Sequence, residues 1–454
     1  MKTQIQKLAG FIHQRSYQDI SPGAVLQLKL RLLDSLGCAI GALSAKPIQA
    51  LHAYIEELGG KPLVTLIGGG KTSPDRGALY NAALIRYLDF NDSYIAKGET
   101  CHPSDNIAAV LAAAEYNNAS GKDFLTALAI AYQVQCRLSD VAPVRDKGFD
   151  HTTQGSYAVA AGVAKALRLS EDQIANALAI SGTAFNALRV TRTGKISHWK
   201  GLAYPNTVFS ATHATFLAMY GITGPLEVFE GNKGFMHTIT GPFSIDWRRE
   251  NLEAVRRTSI KKFNAEFHSQ PTIEGILALR KKYNLHAKDI QSIKIAIFDV
   301  AHKIIGGGEE GNKHKVRTKE EADHSLPYMA AVALLDGEVT PRQYTETRIH
   351  QRDVHALMQK ISVEVDESFS KKFPEYMISK IEIRLQNGTL LQLEKKEYEG
   401  FYTKPLSFPD VEAKFHELAL PYASETLRKE IIETVKHIEQ KKIRDLTSLL
   451  ATIG

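Results

Sequence analysis

The densest group of residues able to do acid–base chemistry lies in LDFNDSYIAKGETCHPSDN, residues 88–106. Carboxylates, a hydroxyl and an imidazole within one short stretch can act as general acid, general base or metal ligands. The alternative interpretation is a solvated loop in which Asp and Ser cap helices and Pro103 starts the next helix. The candidates are Asp89, Asp92, Ser93, Glu99, His102 and Asp105.

The spacing of metal-binding and phosphate-binding residue types favours a site without a metal or a cofactor. No HxxxH or HExxH pair occurs. The Gly-rich stretches LIGGGKTS (66–73) and IIGGGEEG (304–311) lack the P-loop spacing, so we predict turns for both. The three cysteines, Cys38, Cys101 and Cys136, are 63 and 35 positions apart, which argues against an iron–sulfur cluster and a disulfide framework. We therefore expect no cofactor and a reducing, cytoplasmic environment.

A second polar region, ALRVTRTGKISHWKG, gathers cations in a Gly-containing loop between helices. Arg can pair with a carboxylate through two hydrogen bonds, and Lys supplies a point charge, so the loop is suited to binding carboxylates. An exposed basic loop with no ligand is the equal alternative. The candidates are Arg189, Arg192, Lys195, His198 and Lys200.

Two further polar stretches lie at or after the expected domain junction, where clefts form. IKKFNAEFHSQ and EADHSLPYM each contain a histidine, which at such a place is structural more often than not, and Ser325 is as well suited to cap a helix as to bind a ligand. The candidates are Lys261, Lys262, Glu266 and His268 in the first stretch, and His324, Ser325 and Tyr328 in the second.

His151 precedes an Ala-rich helix in KGFDHTTQGSYA. The positive end of a helix dipole would keep its imidazole neutral and available as a base. A histidine in an exposed loop is the alternative.

Composition sets the class of protein that must position these groups. The chain has 454 residues, 44% of them hydrophobic and 23% charged, so it is an ordinary globular protein of two or three domains. Its net charge of +6 is spread out, which suits anionic small molecules and argues against a nucleic-acid surface. The longest apolar run, residues 107–114, is too short to span a membrane, and the first residues do not resemble a secretory signal.

Helical periodicity dominates residues 1–256, which we predict to be an all-α domain. Ser21 and Pro22 mark the start of one helix, and Ser170 with Gln173 forms the capping box of another. Small Ala and Gly side chains allow these helices to pack closely.

The pattern changes to α+β over residues 257–403 and returns to helix over residues 404–454. Four stretches alternate as strands do: SIKIAIFDV, ISVEVDE, ISKIEIRLQ and LLQLEKK. The last two flank Asn387 and Gly388, which predict a two-residue hairpin turn. We expect a mainly α protein, with a large helical domain built from both chain ends and a smaller α+β lid domain.

Five stretches taken together resemble one family. DFNDSY with HPSDN, SHWKGLAYPN, KKFNAEFHSQ, DHSLPYMAAVALLDG and the early LLDSLGCAIG are similar, in the same order, to motifs of the MmgE/PrpD family of 2-methylcitrate dehydratases and cis-aconitate decarboxylases. The resemblance implies the two-domain fold described above, a homodimer, and chemistry without an iron–sulfur cluster.

The same resemblance implies roles for individual residues. Asp89, Ser93 and His102 fall on the family's first active-site motif, and His151 falls on its middle histidine. Lys200 and Lys261 fall on its substrate-facing lysines. His268 lies two positions beyond the histidine of the decarboxylase branch, and Ser93 replaces the usual Thr. Arg192, Ser325 and Tyr328 complete the expected substrate-binding set.

Within the family, DFND, the longer loop ending in HPSDN, and AEFHSQ look more like the dehydratase branch. The resemblance therefore implies metal-independent dehydration of 2-methylcitrate, a small tricarboxylate, in propionate catabolism. His102 or His151 would take the proton, Asp89 would orient the imidazole, and Lys200 and Lys261 would neutralise carboxylates. Three alternatives stay open: decarboxylation of cis-aconitate to itaconate, epimerisation of a small amino-dicarboxylate, and tricarboxylate binding without turnover.

Overall fold

The structure, a computed structural model, describes residues 2–194, 196–308 and 311–454. Lys195 of the basic loop, and Glu309 and Glu310 of the second Gly-rich stretch, lie outside the described residues. The chain forms two compact units. The helical unit comprises Met1–Thr191, Gly201–Ile260 and Ser407–Gly454, and the mixed unit comprises Arg192–Lys200 and Lys261–Leu406.

Nine helices form within the described part of the first 219 residues. Ser21 accepts a hydrogen bond from the Ala24 N–H, and Ser170 forms a capping box with Gln173, so both predicted helix starts are confirmed. The helices are α1 (Gln4–Gln14), α2 (Pro22–Gly41), α3 (Lys46–Leu58), α4 (Pro74–Tyr87), α5 (Ile107–Tyr116), α6 (Gly121–Val141), α7 (Thr152–Ala166), α8 (Glu171–Ala184) and α9 (Trp199–Met219).

Two short antiparallel hairpins also lie in this part of the chain, so the prediction that residues 1–256 are all-α was wrong in this detail. They are β1 (Val64–Thr65) with β2 (Lys71–Thr72), and β3 (Tyr94–Ala96) with β4 (Glu99–Cys101). Strands of two or three residues are too short to show a period of two. The first Gly-rich stretch forms the turn between β1 and β2, as predicted.

The mixed unit contains a four-stranded sheet in the order β6-β5-β7-β8. β5 pairs parallel with β6 and antiparallel with β7, and β7 pairs antiparallel with β8 across the predicted turn, where Gly388 has φ +87°. All four strands predicted from alternation are confirmed. The strands are β5 (Ile290–Ile297), β6 (Ile361–Val365), β7 (Ser379–Leu385) and β8 (Leu390–Lys395).

Seven helices, most of them short, accompany this sheet in the described part of the mixed unit. The predicted helix in MAAVALLDG forms the last eight of the eleven residues of α13. They are α10 (Gln270–Tyr283), α11 (Asp299–Ala301), α12 (Lys319–Ala322), α13 (Leu326–Asp336), α14 (Glu346–Ile349), α15 (Arg352–Met358) and α16 (Glu367–Ser370).

The end of the chain returns to the helical unit. It forms α17 (Phe408–Ala419), α18 (Glu425–Lys436) and α19 (Ile443–Leu450). α17 packs closely on α2, because a Cβ at Gly37 would lie 3.2 Å from the Phe415 Cα. Both ends of the chain therefore contribute to one core.

The mainly helical prediction is confirmed, while the unit boundaries differ from the predicted segments 1–256, 257–403 and 404–454. The middle boundaries fall at 260/261 and 406/407, and residues 192–200 join the mixed unit. The physical reason is visible at Lys200, whose ammonium is bound to Asp323 of that unit. None of the described helices is long and apolar enough to cross a membrane.

Candidate active site

His102 lies between β4 and a short helical turn, Pro103–Asn106, and its side chain is largely buried. Its Nδ1 is 2.8 Å from the main-chain oxygen of Asp92. A carbonyl oxygen can only accept a hydrogen bond, so Nδ1 carries the proton in the neutral ring and Nε2 keeps a lone pair. The Ser93 hydroxyl lies 3.1 Å from the same Nδ1. His102 is thereby held in the tautomer that can act as a base through Nε2.

The loop that holds His102 is fixed by its own side chains. The Asp92 carboxylate accepts hydrogen bonds from the Ser104 N–H at 3.0 Å and the Tyr132 hydroxyl at 2.9 Å. Burial raises the pKa of Asp92, against the opposing effect of these donors. Ser93 exchanges two main-chain hydrogen bonds of 2.8 Å with Ser259. The Asp92 carbonyl therefore has little freedom to move away from the imidazole.

Asp89 occupies a left-handed conformation, with φ +55°, in the same loop. Its carboxylate accepts a hydrogen bond of 2.6 Å from Arg86, and the Arg86 Nε lies 3.7 Å from Asp105. The Asn91 amide donates to Asp105 at 2.7 Å. The Asp92 carbonyl thus orients Nδ1 of His102, whereas the 2.6 Å hydrogen bond of Asp89 is with the Arg86 guanidinium. The orienting role expected for Asp89 stays a prediction.

His151 lies next to His102, although 49 positions separate them in the sequence. It precedes α7 as its N-cap residue, where the sequence placed it. The two ring centroids are 5.5 Å apart with the planes at 75°. The His151 Nε2 is 3.8 Å from the carboxylate of Asp150, which also lies 3.8 Å from Arg189. Two buried imidazoles and a carboxylate therefore form one cluster in the helical unit.

Tyr204 supports this pair from α9. Its ring stacks on His151 at a centroid distance of 5.6 Å, and its hydroxyl lies 3.0 Å from Asn106 Oδ1 and 3.1 Å from Gln135 Oε1. Gly155 on α7 leaves the space for it, because a Cβ there would lie 2.6 Å from the Tyr204 ring. These residues therefore form a row in which His102 contacts His151, His151 stacks on Tyr204, and Tyr204 packs against Gly155.

Glu99, another candidate from the first polar cluster, binds main chain. Its carboxylate accepts hydrogen bonds from the N–H groups of Val144 and Arg145, at 3.2 and 3.1 Å. Burial raises the pKa of Glu99, and Asp150 adds to this, while the Val144 N–H and Arg189 oppose it. Glu99 thus ties β4, immediately before His102, to the turn that leads to His151.

Lys200 and Asp323 form the charged centre of the mixed unit. The Lys200 ammonium is 3.1 Å from Asp323 Oδ1 and 2.8 Å from His324 Nδ1. Lys319 reaches the other oxygen of Asp323 at 2.7 Å. Burial alone would raise the pKa of Asp323, but Lys200, Lys319 and His324 outweigh it and hold that pKa well below its usual range. The carboxylate is therefore ionised and fixes the position of the Lys200 ammonium.

Lys261, Glu266 and His268 form a second buried group in this unit. The Glu266 carboxylate is 2.7 Å from the His268 Nδ1. Burial would raise the pKa of Glu266, but His268, His324 and Lys261 lower it to about 2. Nε2 of His268 has no hydrogen-bond partner among the described residues, and its ring lies 5.5 Å from Phe298 and 5.9 Å from Phe373. With aromatic rings around it and Glu266 at its Nδ1, His268 is suited to position the Glu266 carboxylate.

The other predicted substrate-binding residues already have protein partners. The Ser325 hydroxyl donates to the Lys313 carbonyl and caps α13 by accepting from the Tyr328 N–H. The Tyr328 hydroxyl donates to the Gln343 carbonyl. Arg192 donates a long hydrogen bond of 3.4 Å to the Lys200 carbonyl. Their substrate-binding roles stay predictions.

The structure brings together residues of the first cluster with His151 in the helical unit, and Lys200 with His324 in the mixed unit. The charged residues that hold them are not among the candidates predicted from the sequence. Asp150 and Asp323 carried a signal, since each directly precedes a candidate histidine and so can share a charge cluster with it. Arg86 lies three positions before Asp89, on a helix.

The three cysteines are buried, and no disulfide bond joins them. Cys101 and Cys136 belong to one buried group, and burial raises the pKa of each thiol. Ser139 donates a hydrogen bond to the Cys101 sulfur at 3.4 Å. The thiols of Cys101 and Cys136 are therefore protonated, and the two side chains pack as apolar core residues.

Comparison with known proteins places these groups in a family context. Residues 6–248 match the MmgE/PrpD N-terminal domain, and residues 263–440 match the MmgE/PrpD C-terminal domain. A mitochondrial 2-methylcitrate dehydratase of Yarrowia lipolytica is 28% identical over 411 residues, covering 85% of this chain and 78% of the relative. The 2-methylcitrate dehydratase of Escherichia coli K12 is also 28% identical, covering 81% of this chain and 80% of the relative. The mouse cis-aconitate decarboxylase is 24% identical, covering 97% and 91%.

Proposed function

The chain belongs to the MmgE/PrpD family, and from this premise we propose that it is a metal-independent hydro-lyase that dehydrates 2-methylcitrate to 2-methyl-cis-aconitate. The observation that carries the proposal is the buried pair His102 and His151, in which the Asp92 carbonyl fixes the first ring with Nε2 as the basic atom. Several relatives named 2-methylcitrate dehydratases, each matched over most of its length, support the choice of substrate.

Dehydration of this substrate requires loss of a proton next to a carboxylate and loss of the neighbouring hydroxyl. In the proposed reaction Nε2 of His102 takes the proton, and the electron pair of the C–H bond becomes the second bond of the new double bond. The hydroxyl leaves as water after it accepts a proton from His151. The Asp150 carboxylate, 3.8 Å from His151, opposes the positive end of the α7 dipole and so favours a ring that carries positive charge before the transfer. Asp89 and Ser93 hold the substrate and the loop.

The substrate also carries three carboxylates, which cations must neutralise as charge develops in the transition state. We assign this role to Lys200 and Lys261, with Arg192 as a further partner. Lys200 is suited to it because Asp323 and His324 fix its ammonium, so less side-chain entropy is lost when the substrate binds. His268, Ser325 and Tyr328 support these groups through Glu266 and the start of α13.

We propose a homodimer in the cytoplasm that acts in propionate catabolism. Its substrate would come from the condensation of propionyl-CoA with oxaloacetate, the reaction class that makes a hydroxy-tricarboxylate. A sedimentation measurement that gave only the 50.2 kDa monomer would contradict the homodimer.

Incubation of the purified protein, after treatment with a chelator, with 2-methylcitrate, citrate and cis-aconitate tests the activity. We expect ultraviolet absorbance of the conjugated double bond to rise with 2-methylcitrate, and mass spectrometry to identify a product lighter by one water. Itaconate and carbon dioxide from cis-aconitate would instead assign the decarboxylase activity of the mouse relative. Binding of these acids without any product would leave a tricarboxylate-binding protein, and activity lost on chelation would contradict a metal-independent reaction.

A further inference from the structure

The helical unit contains a polar cavity of about 410 Å³ that the proposed reaction does not use. It lies at the end of α1, the start of α6 and the end of α7. Lys165 of its lining lies in the last turn of α7, whereas His151 precedes the first turn. At 1.5 Å per residue, the two lie about 20 Å apart along the helix. The cavity is therefore separate from the paired imidazoles.

Four of the side chains that line this cavity carry positive charge. They are Arg15, Lys122, Lys165 and Arg168. Asp123 also lines the cavity and is 2.8 Å from Arg168, and Asp19 is 3.6 Å from Arg15. Four cations against these two carboxylates leave an excess of positive charge around the cavity.

The hydrogen bonds of these cations are also incomplete. The Lys165 ammonium is about half-buried and donates to the His13 carbonyl at 2.8 Å, yet among the described residues no carboxylate pairs with it. The Lys122 ammonium lies 5.5 Å from the Tyr17 ring centroid and has no hydrogen bond or ion pair within the described chain. The buried Nε of Arg15 likewise has no hydrogen-bond partner in that part of the chain. A buried donor without an acceptor, such as the Arg15 Nε, is costly, whereas Lys122 is exposed; an anion in the cavity would supply acceptors to both.

We propose that this cavity binds a small, multiply charged anion, of the chemistry shared by phosphate and polycarboxylates. Guanidinium groups offer paired donors to a planar or tetrahedral anion, and ammonium groups add point charges. Bound there, the anion would join α1, α6 and α7. Because the anion would bind the folded chain and not the unfolded chain, it would stabilise the helical unit.

Titration calorimetry with inorganic phosphate, and separately with tricarballylate, tests the proposal at constant ionic strength. We expect Lys122→Gln and Lys165→Gln each to raise the Kd of the bound probe about tenfold. Lys61→Gln, which removes an exposed cation of the same unit, should leave it unchanged. Lys122→Gln removes an ammonium that makes no hydrogen bond within the described residues, so this variant can lose binding without losing the fold. A melting curve of each variant checks that.

One further variant separates this cavity from the proposed active site. Lys200→Gln should weaken a probe held at the active site and leave binding at the cavity intact. Binding of phosphate alone would assign the phosphate class, and binding of tricarballylate alone would assign the polycarboxylate class, provided that Lys165→Gln weakens it. The proposal is overturned if neither probe binds, or if binding is lost in Lys200→Gln and unchanged in Lys122→Gln and Lys165→Gln. Turnover of 2-methylcitrate by Lys122→Gln is measured separately, and its presence or absence bears only on the proposed reaction.

Discussion

At the scale of single residues, the tautomer of His102 decides which of its nitrogens can do chemistry. An asparagine at this position can still donate a hydrogen bond to the Asp92 carbonyl, but it has no base where Nε2 lies. We therefore expect His102→Asn to fold normally and to lose at least about 100-fold in kcat. Steady-state kinetics with 2-methylcitrate and a melting curve measure the two effects. His437→Asn changes an exposed histidine on the surface of the helical unit and serves as the control; equal kcat in both variants would remove His102 from the mechanism.

Glu266 gives the mixed unit a pH-dependent contribution to its stability. The folded pKa of about 2 lies below the ordinary value of 4.5, so this contribution is complete above pH 4.5 and is lost as the pH falls towards 2. Between pH 6 and pH 3 we expect the wild-type free energy of unfolding to fall by about 2 kcal/mol more than that of Glu266→Gln. Urea unfolding at the two pH values measures the difference. Glu433→Gln, on the surface of α18, should behave as the wild type; a Glu266→Gln variant equally sensitive to acid would contradict the assignment.

At the scale of elements, α7 positions His151 through the space that one glycine leaves. A Cβ at Gly155 would lie 2.6 Å from the Tyr204 ring, so Gly155→Ala must displace the ring that stacks on His151. We expect a loss of about 1–3 kcal/mol in stability, as for other overpacked cores, together with a fall in kcat. Gly201→Ala is the matched control, because nothing lies within 4 Å of a Cβ there. Melting temperatures and kcat values of the two variants are compared. Equal values would show that the Tyr204 ring shifts to make room for the Cβ without moving His151.

The elements themselves could largely be predicted from the sequence, because their signals are local. Ser21, Ser170 and the Asn387 and Gly388 turn each act within a few residues of the main chain they shape. The hairpin β3–β4 was missed since its strands are three residues long and carry no period. Contacts between distant positions have no local signal. The pairing of Lys200 with Asp323, 123 positions away, follows from the fold alone.

At the scale of the whole molecule, the C-terminal helices hold part of the candidate site. The Lys414 ammonium of α17 is 2.6 Å from Asp34 of α2 and donates to the Phe90 carbonyl at 2.8 Å, one residue after Asp89. Lys414→Met leaves the buried Asp34 carboxylate without this partner, and we expect a loss of about 3–5 kcal/mol in stability. Melting temperature and kcat are the measurements.

A double variant separates stability from positioning. Asp34→Asn with Lys414→Met removes both charges, so it should recover much of the lost melting temperature. Because the Phe90 carbonyl still lacks its donor, we expect kcat to stay low. Recovery of both quantities would show that Lys414 serves stability alone.

The division of the chain between the units also sets an order of events during synthesis. The helical unit includes residues 407–454, so α2 leaves the ribosome long before α17, the helix that covers it. Residues 42–407, the mixed unit among them, must be translated while this face of α2 waits for its partner. At about 5–20 residues per second that interval lasts tens of seconds, long enough for a nascent chain to need protection by a chaperone.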